Sequence, residues 1–363
     1  MVAIAYCVIL YHGTARFLVP FDRNSSVSVC EDLLSSGAFK KASANSTNDF
    51  FDWHPDGCSL KHYSQEQSKA CMQQIRHKKG GILANIIFTG DSRVRQLRDG
   101  LLYQLSGFDQ DWLANRNVTL NPRRYKKHSS NEMLLKTTGV RLEFNFAEAL
   151  DAGDGVTGKS LKEIIRKSRI RQPDLLVVGN GAWTIRECTA KRRLQSQCAE
   201  DYKKAFLALL PLLTEIGRKT PVLWAPQIMV NESNMWDREF TNQNMEMYNA
   251  AVRSALGSVP GNRVVYWHSL EAVSRIFNDS FDGLHLGPRA KYCDVQFLLN
   301  LLCNALTEDG KRPTRDYCCT KRNLLRRRHL FRLQFLCLFL PVSFSLSLLL
   351  GVLWKRSGSL KFS

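Results

Sequence analysis

The chain has 363 residues, 44% hydrophobic and 23% charged, with a formal net charge of +18. That length leaves room for one large α/β domain and an appendage. The charge does not mark a nucleic-acid reader, because no basic run interleaved with aromatics and no reader motif accompanies it. In chain order, residues 1–27 hold a short apolar run without a basic start, which fits a weak signal or a shortened membrane anchor. "ILANIIF" (82–88) is a largely β-branched apolar run and reads as a buried strand. Val94, Leu97, Leu101, Leu102 and Leu105 then recur at helical spacing, predicting a helix over 93–105. Residues 106–136 are polar and basic and read as an exposed insertion. Strand-like runs at 139–146, 174–179, 221–228 and 263–268 alternate with helical stretches near 160–171, 199–217, 241–256 and 288–306. This alternation predicts an α/β fold: a parallel sheet between two helical layers, with its site beyond the carboxyl ends of the strands. Residues 333–354 carry no charge over 22 positions, long enough for a transmembrane helix. A basic juxtamembrane segment (321–332) precedes them and a short tail (355–363) follows.

The turn between the first strong strand and its helix is "TGDSRVRQ". Gly90 suits a tight turn, and Ser92 falls at a helix start, where unpaired backbone N–H groups can hold an oxyanion. Read alone, Asp91 or Ser92 is equally well an N-cap. A serine nucleophile needs an imidazole to take its proton and a carboxylate to orient that imidazole. Among the eight histidines, His285 lies three residues after Asp282 in "FDGLHLGP", a Gly-containing loop followed by a helix opening at Pro288. His268, in "VVYWHSL", sits in a strand-like run and reads as a packed or edge histidine.

"GDSRVRQ" early and "DGLHL" late, in this order, resemble the G-D-S and D-x-x-H blocks of the SGNH/PC-esterase group. Within that group the chain is most similar to the luminal catalytic domain of the sialate O-acetyltransferases. "CEDLLSSGAF" (30–39), "WHPDGCSLKHY" (53–63), "PDLLVVGNGAWTI" (173–185) and "CCTKR" (318–322) fit the same family. The resemblance implies an SGNH-hydrolase-like three-layer sandwich over 28–320, with Ser92 as nucleophile, His285 as general base and Asp282 as its partner. Arg95 matches the arginine of the G-D-S-x-x-R block; it fixes the turn, meets an anionic substrate or pairs with Asp91. Gly179, Asn180 and Trp183 stand where oxyanion or substrate groups are expected. The alignment of Asn180 is loose, so the backbone N–H of Ser92 is the preferred oxyanion donor.

Nine Lys/Arg and no acid fall within 321–363, leaving +9 for the rest. A basic face suits an anionic donor and an anionic sugar acceptor. Glycosylation tripeptides occur at Asn24, Asn45, Asn117, Asn231 and Asn278, and ten cysteines lie outside the apolar C-terminal segment, so a luminal compartment with disulfides is expected. Their pairing is not legible from spacing. His54, Cys58, His62 and Cys71 lack a standard zinc spacing, so no metal is expected. The six Lys/Arg of 321–332 against three after 354 point the other way, toward a cytosolic catalytic domain; the tripeptides, cysteines and resemblance favour the lumen.

The resemblance implies a Golgi-membrane enzyme, with no bound cofactor. It would move an acetyl group from acetyl-CoA through Ser92 to a hydroxyl of sialic acid or CMP-sialic acid, as in 9-O-acetylation. Nucleic acid is not an expected partner. The same triad serves a carbohydrate acetylesterase, and a shortened chain could be an inactive membrane glycoprotein.

Overall fold

The computed structural model describes residues 33–34, 37–40, 52–55, 60–108, 129–153, 155–235, 237–277 and 279–304. The expected N-terminal anchor, the basic segment, the 333–354 membrane helix, the tail, and Asn24, Asn45, Asn117 and Asn278 lie outside the described residues. Among those that are described, no helix is long and apolar enough to cross a membrane.

A short antiparallel hairpin comes first, β1 (Gly37–Lys40) with β2 (Asp52–Pro55). Helix α1 (Gln65–Lys78) follows, started by a reciprocal capping box in which Ser64 and Gln67 each satisfy an orphan backbone N–H of the other. The main body then runs β3 (Ala84–Gly90), α2 (Ser92–Ser106), β4 (Asn131–Leu135), β5 (Val140–Phe146), α3 (Val156–Ser168) and β6 (Leu175–Gly179). It continues with α4 (Ala182–Ala190), α5 (Gln195–Gly217), β7 (Val222–Trp224), α6 (Asn242–Ser258), β8 (Val264–Tyr266), α7 (His268–Ile276) and α8 (Pro288–Cys303).

These strands form one six-stranded sheet of order β4-β5-β3-β6-β7-β8. Five strands are parallel, and β4 adds an antiparallel edge, so the sheet is mixed rather than purely parallel. Residues 131–135 are therefore part of the sheet and not of an exposed insertion. Their burial alternates between half-buried and exposed, as an edge strand with one wetted face requires. The expected strand over 221–228 ends at Trp224, and the remainder runs over the end of the sheet as irregular chain.

Strand β3 shows why two helical layers form. Its residues alternate faces: Ile86 and Phe88 pack with α1, α2, α7 and α8, while Ile87 packs with α3, α5 and α6 on the other side. Being buried on both faces, β3 is apolar nearly throughout, and Phe88→Ala would cost roughly 3–5 kcal/mol.

Two disulfides are described. Cys188–Cys198 staples the end of α4 to the start of α5. Cys71–Cys303 joins α1 to the end of α8 across a sequence separation of 232. In the chain-entropy picture, closing so long a loop stabilises by about 5 kcal/mol. With Cys71 in a disulfide, the zinc set discounted on spacing loses one of its four members.

Chain order and sheet order reverse at β3: the connection to β5 goes one way and the later strands go the other. The crevice outside the carboxyl ends of β3 and β6 is thus the topological switch point, where doubly wound sheets place their ligands.

Candidate active site

At the end of β3 the chain must turn sharply beside β6, whose Gly179 is the register partner of Gly90. Gly90 has φ +156°, and a Cβ there would lie 1.8 Å from the carbonyl oxygen of Gly179. Only glycine fits that approach. Asp91 then takes the N-cap: its Oδ1 accepts the N–H of Arg93 at 3.0 Å, and its Oδ2 faces the Arg93 guanidinium at 3.4 Å. Because Asp91 does the capping, the hydroxyl of Ser92 is left for other use.

That hydroxyl meets His285. Ser92 Oγ lies 2.7 Å from His285 Nε2, across 193 residues of sequence. On the far side of the ring, His285 Nδ1 lies 2.5 Å from Asp282 Oδ2. A carboxylate at Nδ1 fixes the proton there, so Nε2 accepts the hydroxyl hydrogen of Ser92. Asp282 is itself oriented by its own loop, Oδ1 accepting the N–H groups of Leu284 (3.0 Å) and His285 (2.9 Å). Partial burial works to raise the Asp282 pKa, but the hydrogen bond and charge of the His285 ring, with those two N–H groups, outweigh it and hold the carboxyl below the usual range. The loop turns at Gly283, φ +79°, where a Cβ would press on Met235 and on the carbonyl of Asn231. Asn231 N–H in turn donates to the Gly283 carbonyl at 2.8 Å.

The other predicted positions scatter around this centre. Gly179 and Asn180 end β6 directly beside the nucleophile turn, and Asn180 is 2% exposed. The Asn180 carbonyl accepts hydrogen bonds from the Tyr202 hydroxyl and from Gln227 Nε2. Asn180 Oδ1 faces the same hydroxyl at 3.3 Å, and no hydrogen bond among the described residues engages its Nδ2. A small recess next to the turn is lined by Asp91, Arg93, Asn180, Gln227 and Leu286 among others. Trp183, in the first turn of α4, is half-buried with the Arg186 guanidinium 5.7 Å from its ring.

Arg95 is not the partner of Asp91; that role belongs to Arg93. Arg95 is 5% exposed and pairs with Asp99, one turn along α2, which also holds the fully buried Arg98. His268 opens α7 instead of ending a strand, and packs in a tilted arrangement against Tyr266 with ring centroids 4.4 Å apart. Of the predicted glycosylation sites, Asn231 is described: it starts a 3-10 turn, and Ser233 Oγ donates to its Oδ1 at 2.6 Å. Nothing in the sequence marks Gln96, whose Oε1 accepts the N–H of Leu286 at 2.8 Å. Among the described residues, no three His, Cys, Asp or Glu side chains cluster as a metal site would.

Fold and site together define a Ser-His-Asp constellation, with its serine at a strand-to-helix turn, on a doubly wound α/β sheet. No family model matches the chain. By sequence the chain is similar to N-acetylneuraminate (7)9-O-acetyltransferase of Danio rerio: 24% identical over 326 residues, or 88% of this chain and 35% of the relative. It thus spans about a third of the length of the curated relative it matches. The resemblance read from the G-D-S and D-x-x-H blocks stands. Among solved structures, a GDSL-like lipase from Parabacteroides merdae aligns at TM-score 0.33 and 14% identity, covering 60% of this chain and 95% of that one. An acetylxylan esterase from Geobacillus stearothermophilus aligns at 0.35 and 12%, covering 60% and 94%.

Proposed function

We propose that the chain is an O-acetyltransferase that carries an acetyl group on Ser92 from acetyl-CoA to a hydroxyl of sialic acid, free or nucleotide-activated. The observation that carries this reading is the 2.7 Å contact between Ser92 Oγ and His285 Nε2. Ser92 Oγ attacks the thioester carbonyl as His285 Nε2 takes its proton, and the tetrahedral oxyanion collapses to acetyl-Ser92. His285 returns the proton to the departing thiolate. The sugar hydroxyl then attacks the acetyl carbonyl, His285 takes that proton and delivers it to Ser92 Oγ as the ester bond to the serine breaks. Asp282 stabilises the imidazolium in both halves. The N–H of Ser92 serves as oxyanion donor, such a donor contributing about 3–4 kcal/mol.

The acceptor is supported by the name of the Danio rerio relative, the donor by the family resemblance. A luminal, Golgi-membrane setting is supported by the two described disulfides, the glycosylation tripeptides and the apolar 333–354 segment. Transfer in water requires the acceptor to be positioned against a large excess of solvent, a proximity effect that supplies roughly 7–11 kcal/mol. The test is to incubate the protein with acetyl-labelled acetyl-CoA and sialic acid, and to follow label into enzyme, sugar and free acetate. Transfer predicts a labelled Ser92 and acetylated sugar in excess of acetate. Acetylated sialic acid that is consumed and never made identifies an esterase instead.

A further inference from the structure

We infer that Gln96 is a positioning residue that holds the catalytic imidazole over the nucleophile by gripping the peptide that follows it. The inference rests on reading Ser92, His285 and Asp282 as a working triad. Gln96 lies four residues after Ser92 on α2, so its side chain leaves the same face one turn further along. It is 8% exposed, and its Oε1 accepts the N–H of Leu286, itself 6% exposed, at 2.8 Å.

Helix α2 therefore meets the loop at two neighbouring points: Ser92 at the imidazole and Gln96 at the next backbone N–H. Among the described residues, these are the hydrogen bonds that tie 282–286 to α2. The two differ in permanence. The serine contact changes its proton and partner in every half-reaction, whereas the Gln96 contact has no reason to open. Asp282 cannot do the same work, because it belongs to the loop it orients and its side chain is 52% exposed. It sets the ring relative to the loop; Gln96 sets the loop relative to Ser92. Asn231, donating to the Gly283 carbonyl, steadies the other half of the turn. Losing the Gln96 acceptor leaves a buried N–H unpaired and frees the loop to shift.

The test uses the full chain and a small acetyl ester, p-nitrophenyl acetate, whose hydrolysis needs the triad but no sugar. Gln96→Met is expected to lower kcat about 10- to 100-fold, with KM changed by less than about two-fold. Gln96→Glu keeps an acceptor oxygen and should recover most of that loss. In a His285→Ala background Gln96→Met should do nothing more, since it acts through the imidazole. An unchanged kcat in folded Gln96→Met, or an equal loss in both backgrounds, overturns the inference. Hydrogen exchange at the Leu286 amide, slow in the natural chain and faster in Gln96→Met, reads the contact without turnover, and equal exchange also overturns it. Should Gln96→Met not fold, Gln96→Asn, one methylene short of reach, replaces it in each comparison. Ester hydrolysis that survives Ser92→Ala overturns the triad reading, and this inference with it.

Discussion

Arg95 and Asp99 sit one turn apart on the nucleophile helix, guanidinium Nε to carboxylate 3.7 Å, and both are almost wholly buried. The Asp99 carboxylate is shared, because Arg98 Nε approaches it at 2.9 Å from the other side. Removing one member of such a group strands a charge away from water, at about 3–5 kcal/mol. Asp99→Ala, which takes a carboxylate from two arginines at once, should lower the thermal midpoint more than Arg95→Ala, and a melting curve ranks them. A folded Arg95→Ala with an unchanged midpoint but a raised KM for an anionic substrate would instead place Arg95 among the substrate groups.

Ser92→Ala, His285→Ala and Asp282→Ala should each lower activity by orders of magnitude, and their combinations little further, because the three act as a unit. His268→Ala should be mild: His268 packs against Tyr266 and takes no part in the triad. Turnover of the four variants, with circular dichroism to confirm folding, separates the two histidines. A loss at His268 matching that at His285 would contradict the assignment.

The acid limb of the pH profile should report one proton. Partial burial works to raise the Asp282 carboxyl, but hydrogen bonds hold it below the usual range, so it stays ionised across the acid limb. Plotted as log kcat/KM against pH, the limb should rise with a slope of about one. A slope of two would mean that Asp282 titrates within that limb. Any stability Asp282 contributes follows the same sign: present above the ordinary aspartate pKa and lost as pH falls through its lowered one.

Asp294 behaves in the opposite sense. It is fully buried on α8, neither carboxylate oxygen has a hydrogen-bond partner among the described residues, and burial with the nearby Asp279 charge pushes its pKa well up. The unfolded chain releases this proton above about pH 4, whereas the folded one retains it. Folding stability therefore falls as pH rises from there toward the raised pKa. Asp294→Asn should flatten that decline, gaining on the natural protein as pH increases. Denaturant midpoints across the acidic-to-neutral range check it, and parallel curves would show that Asp294 does not titrate on unfolding.

The central turn and the Asp282–His285 pair are legible because each is local in sequence, and the family resemblance joins that pair to Ser92 across 193 residues. Apolar β3, Gly90, Ser92 and helical leucines occupy one short stretch, and Asp282 and His285 share one loop. Elements that depend on distant partners are not. β4 is only five residues long and follows a long polar, basic run, and its outward Leu134, 47% exposed, breaks the apolar-in, polar-out alternation that would mark an edge strand. α4 begins at Gly181 without a side-chain cap, so nothing announces it. His268 follows a strand so short that strand and helix start blur. Gln96 is invisible for the same reason that it matters: its partner, Leu286, lies 190 positions away.

The bridge from Cys71 to Cys303 encloses every member of the triad between its two anchor points. Load applied through the chain on either side of those cysteines is thus carried by a pair of sulfur atoms, and the sheet is spared. Tugging on either flank would reorient the body as a whole without paying out the strand that presents Ser92 or the loop that presents His285. A protease cut inside the enclosed stretch would likewise leave both pieces as one covalent molecule until a reductant arrived.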